Sequence, residues 1–276
     1  MGQKKYRGWA QSRVLSFTLC SLIALSPFSS SEALITDTND FEHVFSYHQD
    51  DILYVFDLDN TLIEAQQHLG SDQWFSHQIN HLMESQGWSR SEAFDKFFPL
   101  YHQVLNKTAV RLVDASMTGL LSQMKEKNTP MIGLTKRNPK LSSRTFEQIS
   151  SLQIDFSSTC PVKEDFVIEE LGGTLLKNGI LFVGQGIEKG PALMAYLKKL
   201  KKMPGRIVAI DDRLNHIESI ASAVESLGID YVGIRYGKTD EKVKSFNPKI
   251  AAMQLEHFHR ILSDEQALHL LKLENY

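Results

Sequence analysis

Four short apolar runs punctuate the chain: "ILYVF" at 52–56, "PMIGL" at 130–134, "RIVAI" at 206–210 and "YVGIR" at 231–235. All are rich in strand formers and predict buried strands. Helical spacing fills the intervals, with "VDASMTGLLSQMKEK" before the second run, "GPALMAYLKKLKK" before the third and "NHIESIASAVESLG" before the fourth. Strands alternating with helices predict an α/β fold with a mostly parallel sheet covered on both faces. In such sheets ligands sit beyond the carboxyl ends of the strands.

Two stretches interrupt the alternation. Residues 66–110 carry aromatics at helical spacing ("WFSHQINHLMESQGW", "SEAFDKFFPLYHQVL") and no strand run, which predicts a helical insertion. Its expected hinges lie near 64–66 and 108–114. Residues 166–183 place two apolar arms around "LKNG", and Asn178-Gly179 is a strong hairpin signal. Residues 34–49 read as a polar lead. The tail, 247–276, reads as two amphipathic helices, the second capped by Ser263 with Asp264 and Glu265 in its first turn.

The first 33 residues have another character. Lys4, Lys5, Arg7 and Arg13 precede "VLSFTLCSLIALSPF", and "SSSEA" follows. A basic segment, a short apolar segment and small residues before a cut predict a cleaved secretory leader, with an uncleaved anchor as the lesser reading. The apolar run falls short of the ~20 residues of a membrane-spanning helix. The expectation is an exported protein, periplasmic or secreted, without stable membrane insertion. Losing residues 1–33 removes four basic residues and one acidic residue, so the formal charge moves from −3 to −6. That balance argues against nucleic-acid binding. One cysteine, Cys160, remains in residues 34–276, so no intrachain disulfide can form there.

Chemistry enters where the runs end. "DLDNT" follows the first run, Thr135 the second and Asp211-Asp212 the third, while Lys189 precedes "GPALMAYL". Each has a task in phosphoryl transfer. A carboxylate can attack phosphorus, and a second one can move the proton of the leaving oxygen or of water. A hydroxyl and a lysine neutralise non-bridging oxygens. Acidic groups from two strand ends can hold Mg²⁺.

"FDLDNT", "GLT", the isolated lysine and "IDD" resemble the four motifs of the haloacid dehalogenase (HAD) superfamily, across about residues 52–240. "PGRIVAIDDR", "GIDYVGIRYG" and "FNPKIAAMQLEHFHRILSDEQA" are similar to the exported, HAD-like DUF2608 family. The resemblance implies a three-layer, Rossmann-like core over 34–276 with a helical cap inserted at about 66–110. It implies Asp57 as nucleophile and metal ligand, and Asp59 as general acid/base that gives the metal its backbone carbonyl. Thr135 and Lys189 would hold phosphoryl oxygens, and Asp211 would complete a Mg²⁺ site with Asp212 beside it. Having aspartate at position 59 implies phosphate chemistry rather than dehalogenation. The implied activity is Mg²⁺-dependent hydrolysis of a small phosphomonoester through an aspartyl-phosphate.

Two rivals stand beside that reading. One is a catalytically idle secreted module that serves as a binding or effector protein; clustered carboxylates speak against it. The other is phosphotransfer to a second hydroxyl on the same fold. Elsewhere the blander readings prevail. His77 and His81 lack the glutamate of a zinc-protease helix and read as cap surface, and "GQGIEKG" lacks the Gly-Lys-Ser/Thr of a phosphate loop. Trp74, Trp88, Phe97 and Phe98 read as cap packing, with one of them facing a substrate's ring as the alternative.

Overall fold

The computed structural model describes residues 33–184 and 186–274. The expected leader lies outside the described residues, Ala33 apart. No helix among the described residues is long and apolar enough to cross a membrane.

The strands are β1 (Leu34–Thr38), β2 (Ile52–Phe56), β3 (Ile63–Ala65), β4 (Val110–Leu112), β5 (Met131–Thr135), β6 (Phe166–Ile168), β7 (Thr174–Lys177), β8 (Ile180–Phe182), β9 (Arg206–Asp211) and β10 (Asp230–Tyr236). The α-helices are α1 (Asp72–Gln86), α2 (Arg90–Lys107), α3 (Met117–Glu126), α4 (Ser142–Ser150), α5 (Lys189–Leu197), α6 (Leu214–Glu225), α7 (Asp240–Lys244), α8 (Pro248–Glu256) and α9 (Asp264–Glu274). Eight strands form one sheet in the order β1-β10-β9-β2-β5-β8-β7-β6, parallel from β1 to β8 and antiparallel at the β8-β7-β6 edge.

The four apolar runs become β2, β5, β9 and β10, and alternation along them builds two cores. Ile52, Tyr54 and Phe56 pack with Val208, Ile210, Met124 and Ile149 on one face. Leu53 and Val55 pack with Ile207, Leu193, Tyr196 and Ile217 on the other. A side-chain period of two sends neighbours to opposite faces, so a strand flanked by two helical layers must be apolar throughout. The result is the expected three-layer α/β fold. Asn178 and Gly179 both have positive φ, 45° and 79°, and turn β7 into β8. Ser263 Oγ accepts from Gln266 N at 3.2 Å and starts α9.

The polar lead is not structureless. Residues 34–38 form the edge strand β1, and Phe41 and Val44 of the following 3₁₀ helix are buried. Leu34 and Ile35 stay exposed, so β1 carries no burial signal; backbone pairing with β10 holds it.

Residues 66–110 form the helical pair α1/α2. Ser71 caps α1, Gly87 ends it at φ 68°, and Ser89 with Glu92 closes a capping box on α2. Trp74, Phe75, Phe97 and Tyr101 fill the space between the helices. The chain enters and leaves this pair through β3 and β4, the segments expected as hinges, which pair with each other as an antiparallel ribbon. The C-terminal helices grip its base: Leu69 N donates to Gln254 Oε1 at 2.8 Å and His68 N to Asp264 Oδ1 at 2.9 Å.

Candidate active site

The parallel register delivers the first contact. Phe56 of β2 lies beside Ile210 of β9, and Asp57 N donates to Ile210 O at 2.9 Å. Asp57 and Asp211 therefore leave the sheet together at the carboxyl ends of adjacent strands. Oxygens of Asp57, Asp211 and Asp212 lie within 4.8 Å of one another.

Lys189 arrives from the opposite layer as the first residue of α5. Gly190 lets α5 approach α6 closely: a Cβ there would overlap the Ser219 carbonyl, and Gly190 N donates to Ser219 Oγ at 3.1 Å. The Lys189 ammonium is fully buried and donates to Asp57 Oδ1 at 2.5 Å and to Asp211 Oδ2 at 2.6 Å. Burial opposes its charge, but the two carboxylates outweigh burial and raise its pKa. Thr61 Oγ1 donates to Asp57 Oδ2 at 3.0 Å and accepts from Asp212 N at 3.0 Å, linking the two strand-end loops.

The carboxylates differ in charge state. Burial pushes Asp57 up, Lys189 opposes this, Asp211 adds repulsion, and the pKa reaches about 6. Burial also acts on Asp211, but Lys189 and His216 outweigh it and hold the group at about 2. Asp212 is raised well above the carboxylate range by burial, then by Asp57 and Asp211. Three clustered oxygen donors with this mutual repulsion suit a hard divalent cation such as Mg²⁺.

Asp59 lies on the cavity side. Arg137 clamps it bidentately, Nε to Oδ2 at 2.7 Å and Nη2 to Oδ1 at 2.8 Å. The same guanidinium donates through Nη1 to Thr145 Oγ1 at 3.0 Å and Gln148 Oε1 at 2.7 Å, which fixes it to α4. Thr135 Oγ1, at the end of β5, accepts from Arg137 N at 3.1 Å.

A cavity of ≈60 Å³ collects these groups. Asp57, Asp59, Thr135 and Asp212 line it from the core, Asp72, Phe75, Phe94 and Tyr101 from α1/α2, and Lys136 and Arg213 also border it. Lys189 and Asp211 sit behind Asp57. All six residues singled out in the sequence thus converge at one place. Arg213 donates to Asp72, tying the loop after Asp211 to the start of α1. The His77 and His81 rings stack 6.5 Å apart on α1, with His77 against Phe246.

Sequence reasoning missed Arg137, His216, Thr61 and Tyr101. His216 Nδ1 is 3.0 Å from Asp211 Oδ1, and its position on the first turns of α6, five residues beyond Asp211, was a usable signal. Thr61 stands in the quoted "DLDNT". Arg137 stands two residues after Thr135, but nothing local tells which carboxylate it meets.

The DUF2608 profile, described as a protein of unknown function, matches residues 35–268. A Chlamydia trachomatis serovar D protein, provisionally named an outer membrane protein, is 24% identical over 256 residues, 92% of this chain and 95% of that one. A Chlamydia pneumoniae protein with a similar provisional name is 25% identical over 226 residues, covering 82% and 84%. A crystal structure of a HAD-superfamily hydrolase from Ehrlichia chaffeensis is 17% identical and covers 67% of this chain and 87% of that one, at a TM-score of 0.37.

Proposed function

Starting from a chain that belongs to the DUF2608 family, we propose that it is a Mg²⁺-dependent phosphomonoester hydrolase working through an aspartyl-phosphate on Asp57. One observation carries the reading. A buried carboxylate at a strand end is bonded to a buried lysine and lies within 4.8 Å of two further carboxylates. A structural ion pair has no use for the second and third acids, whereas phosphoryl transfer uses them all.

In the first step an Asp57 oxygen attacks phosphorus, the phosphorus–ester oxygen bond breaks, and the leaving oxygen takes the electron pair and a proton from Asp59. In the second step water attacks phosphorus, its proton passes to Asp59, and the bond from phosphorus to Asp57 breaks. Lys189 keeps Asp57 and Asp211 ionised, and Thr135 offers its hydroxyl to a non-bridging oxygen. Asp57, Asp211 and the Asp59 carbonyl would hold Mg²⁺, with Asp212 alongside, and the ion would offset charge on the phosphoryl oxygens. Arg137 donates to both Asp59 oxygens in this structure, the acceptor state the second step needs, and the first step needs one of these contacts exchanged for a proton on Asp59.

The leader expected over residues 1–33 and the names of the chlamydial relatives support an exported protein. The test is turnover of a phosphomonoester panel by residues 34–276, with and without Mg²⁺. Activity lost on chelation and absent in Asp57→Asn is expected. No turnover of any ester by the Mg²⁺-supplied protein would leave the idle module as the better account.

A further inference from the structure

Tyr101 stands apart among the residues around the cavity. It is 9% exposed and lines the cavity with Asp57 and Asp59. Its ring is fixed by Phe75, Phe97 and Trp74 at centroid distances of 4.7, 6.0 and 6.1 Å. Among the described residues its hydroxyl has no hydrogen-bond partner, and it is not one of the buried unpaired atoms (Gln67 Nε2, Trp74 Nε1 and Tyr236 Oη), so it opens onto the cavity. The ring is walled in by aromatics, so the hydroxyl end is the part that reaches the cavity. Burial, then the Asp59 charge, push the phenol's pKa upward, so it remains an O–H donor. A donor that opens onto a cavity and lacks a protein acceptor is placed for an acceptor that arrives with a ligand.

The enclosed part of the cavity is small, and the rest of the site opens to solvent. The enclosed ≈60 Å³ is far below the ~300–1,000 Å³ of pockets for drug-sized ligands. At ~10–15 Å³ per water, it holds about four to six water-sized positions, enough for a phosphoryl group and a leaving group of two or three carbons. Of the other cap residues at the cavity, Phe75 and Phe94 are apolar and Asp72 is an acceptor paired with Arg213, which leaves Tyr101 as the cap's hydrogen-bond donor.

We propose that Tyr101 is a substrate-binding residue whose hydroxyl donates to an oxygen on the leaving group of a compact, hydroxylated phosphomonoester. This rests on the phosphatase reading above. It gives the cap a chemical contact with the substrate in addition to its walls.

The experiment compares kcat/KM of wild type and Tyr101→Phe on two matched esters, 2-hydroxyethyl phosphate and ethyl phosphate, with adenosine monophosphate as a bulky control. Phenylalanine keeps the ring and its packing, and an unchanged melting temperature checks this. The preference for the hydroxylated ester over the plain one should fall ~3–10-fold in the variant, the range of one neutral hydrogen bond. An equal loss on both esters would move the contact to the phosphoryl group and overturn the assignment, as would no loss on either. Turnover of adenosine monophosphate as efficient as that of 2-hydroxyethyl phosphate would overturn the limit on size. Should the wild type hydrolyse no phosphomonoester at all, the phosphatase reading fails and this inference falls with it.

Discussion

Lys189→Met removes the cation between Asp57 and Asp211 while keeping the volume of the side chain. The lysine is fully buried and bonds both acids, at 2.5 and 2.6 Å, so solvent cannot replace it. Two carboxylates ~5 Å apart repel by ~3 kcal/mol at an effective dielectric of ~20. Removing one partner of a buried pair typically costs ~3–5 kcal/mol. At ~2–4 °C per kcal/mol for a domain of this size, the melting temperature should drop by ~6–20 °C at pH 8. The sign with pH follows from Asp57. Its folded pKa, about 6, lies above the ordinary carboxylate value, so its ionisation lowers stability as pH rises through that window. Without Lys189 the folded pKa moves higher still, and the protein can escape the repulsion at pH 5 by protonating Asp57. The deficit should therefore be smaller at pH 5 than at pH 8. Mg²⁺ at a hundred times its dissociation constant should return up to ~2.7 kcal/mol. Thermal unfolding at both pH values, with and without Mg²⁺, measures all of this. A deficit that is equal at pH 5 and pH 8 and indifferent to Mg²⁺ would refute the view that Lys189 neutralises these acids.

Asp57→Asn should abolish turnover, whereas Asp59→Asn should lose ~10²–10⁴-fold on alkyl esters and less in the first step with a nitrophenyl ester; acid-quench trapping should find aspartyl-phosphate accumulating only in the second variant. Mg²⁺ affinity, measured by calorimetry, should weaken as pH falls through about 6, because a proton on Asp57 competes with the cation. Gln254 is fully buried, accepts from Leu69 N and donates to Leu262 O and Asp264. Gln254→Leu strands the Leu69 N–H at a cost of ~1–3 kcal/mol, and protease should cut the α1/α2 turn around Gly87 faster than in wild type.

The sheet interior was legible because a strand covered on both faces must be apolar along its buried stretch, and β2, β5, β9 and β10 are, with polar residues only toward the ends, such as Thr135, Arg206, Asp211, Asp230 and Arg235. The acidic ends of β2 and β9 were legible for the opposite reason: carboxylates have no place in that run unless the strand has ended. β1 obeyed neither rule. Its Leu34 and Ile35 are exposed, and backbone hydrogen bonding writes nothing into side-chain identity. Arg137 was hidden differently, since its pairing with Asp59 depends on β5 lying next to β2, a matter of strand order. Tyr101 read as one more aromatic of the cap core, because helical spacing reports that a ring is buried and not where its hydroxyl points.

β1 pairs in register with β10, Leu34 beside Val232 and Thr38 beside Tyr236, so the first and last strands of the sheet are neighbours. That adjacency sets an order in time. A chain synthesised from its N-terminus presents residues 34–38 long before their partner exists, and pairings between such distant segments are slow to form. Until Tyr236 has emerged, β1 has nothing to dock on. The edge strand therefore joins the sheet only when nearly the whole chain has been made, so its pairing is one of the last events of folding rather than one of the first.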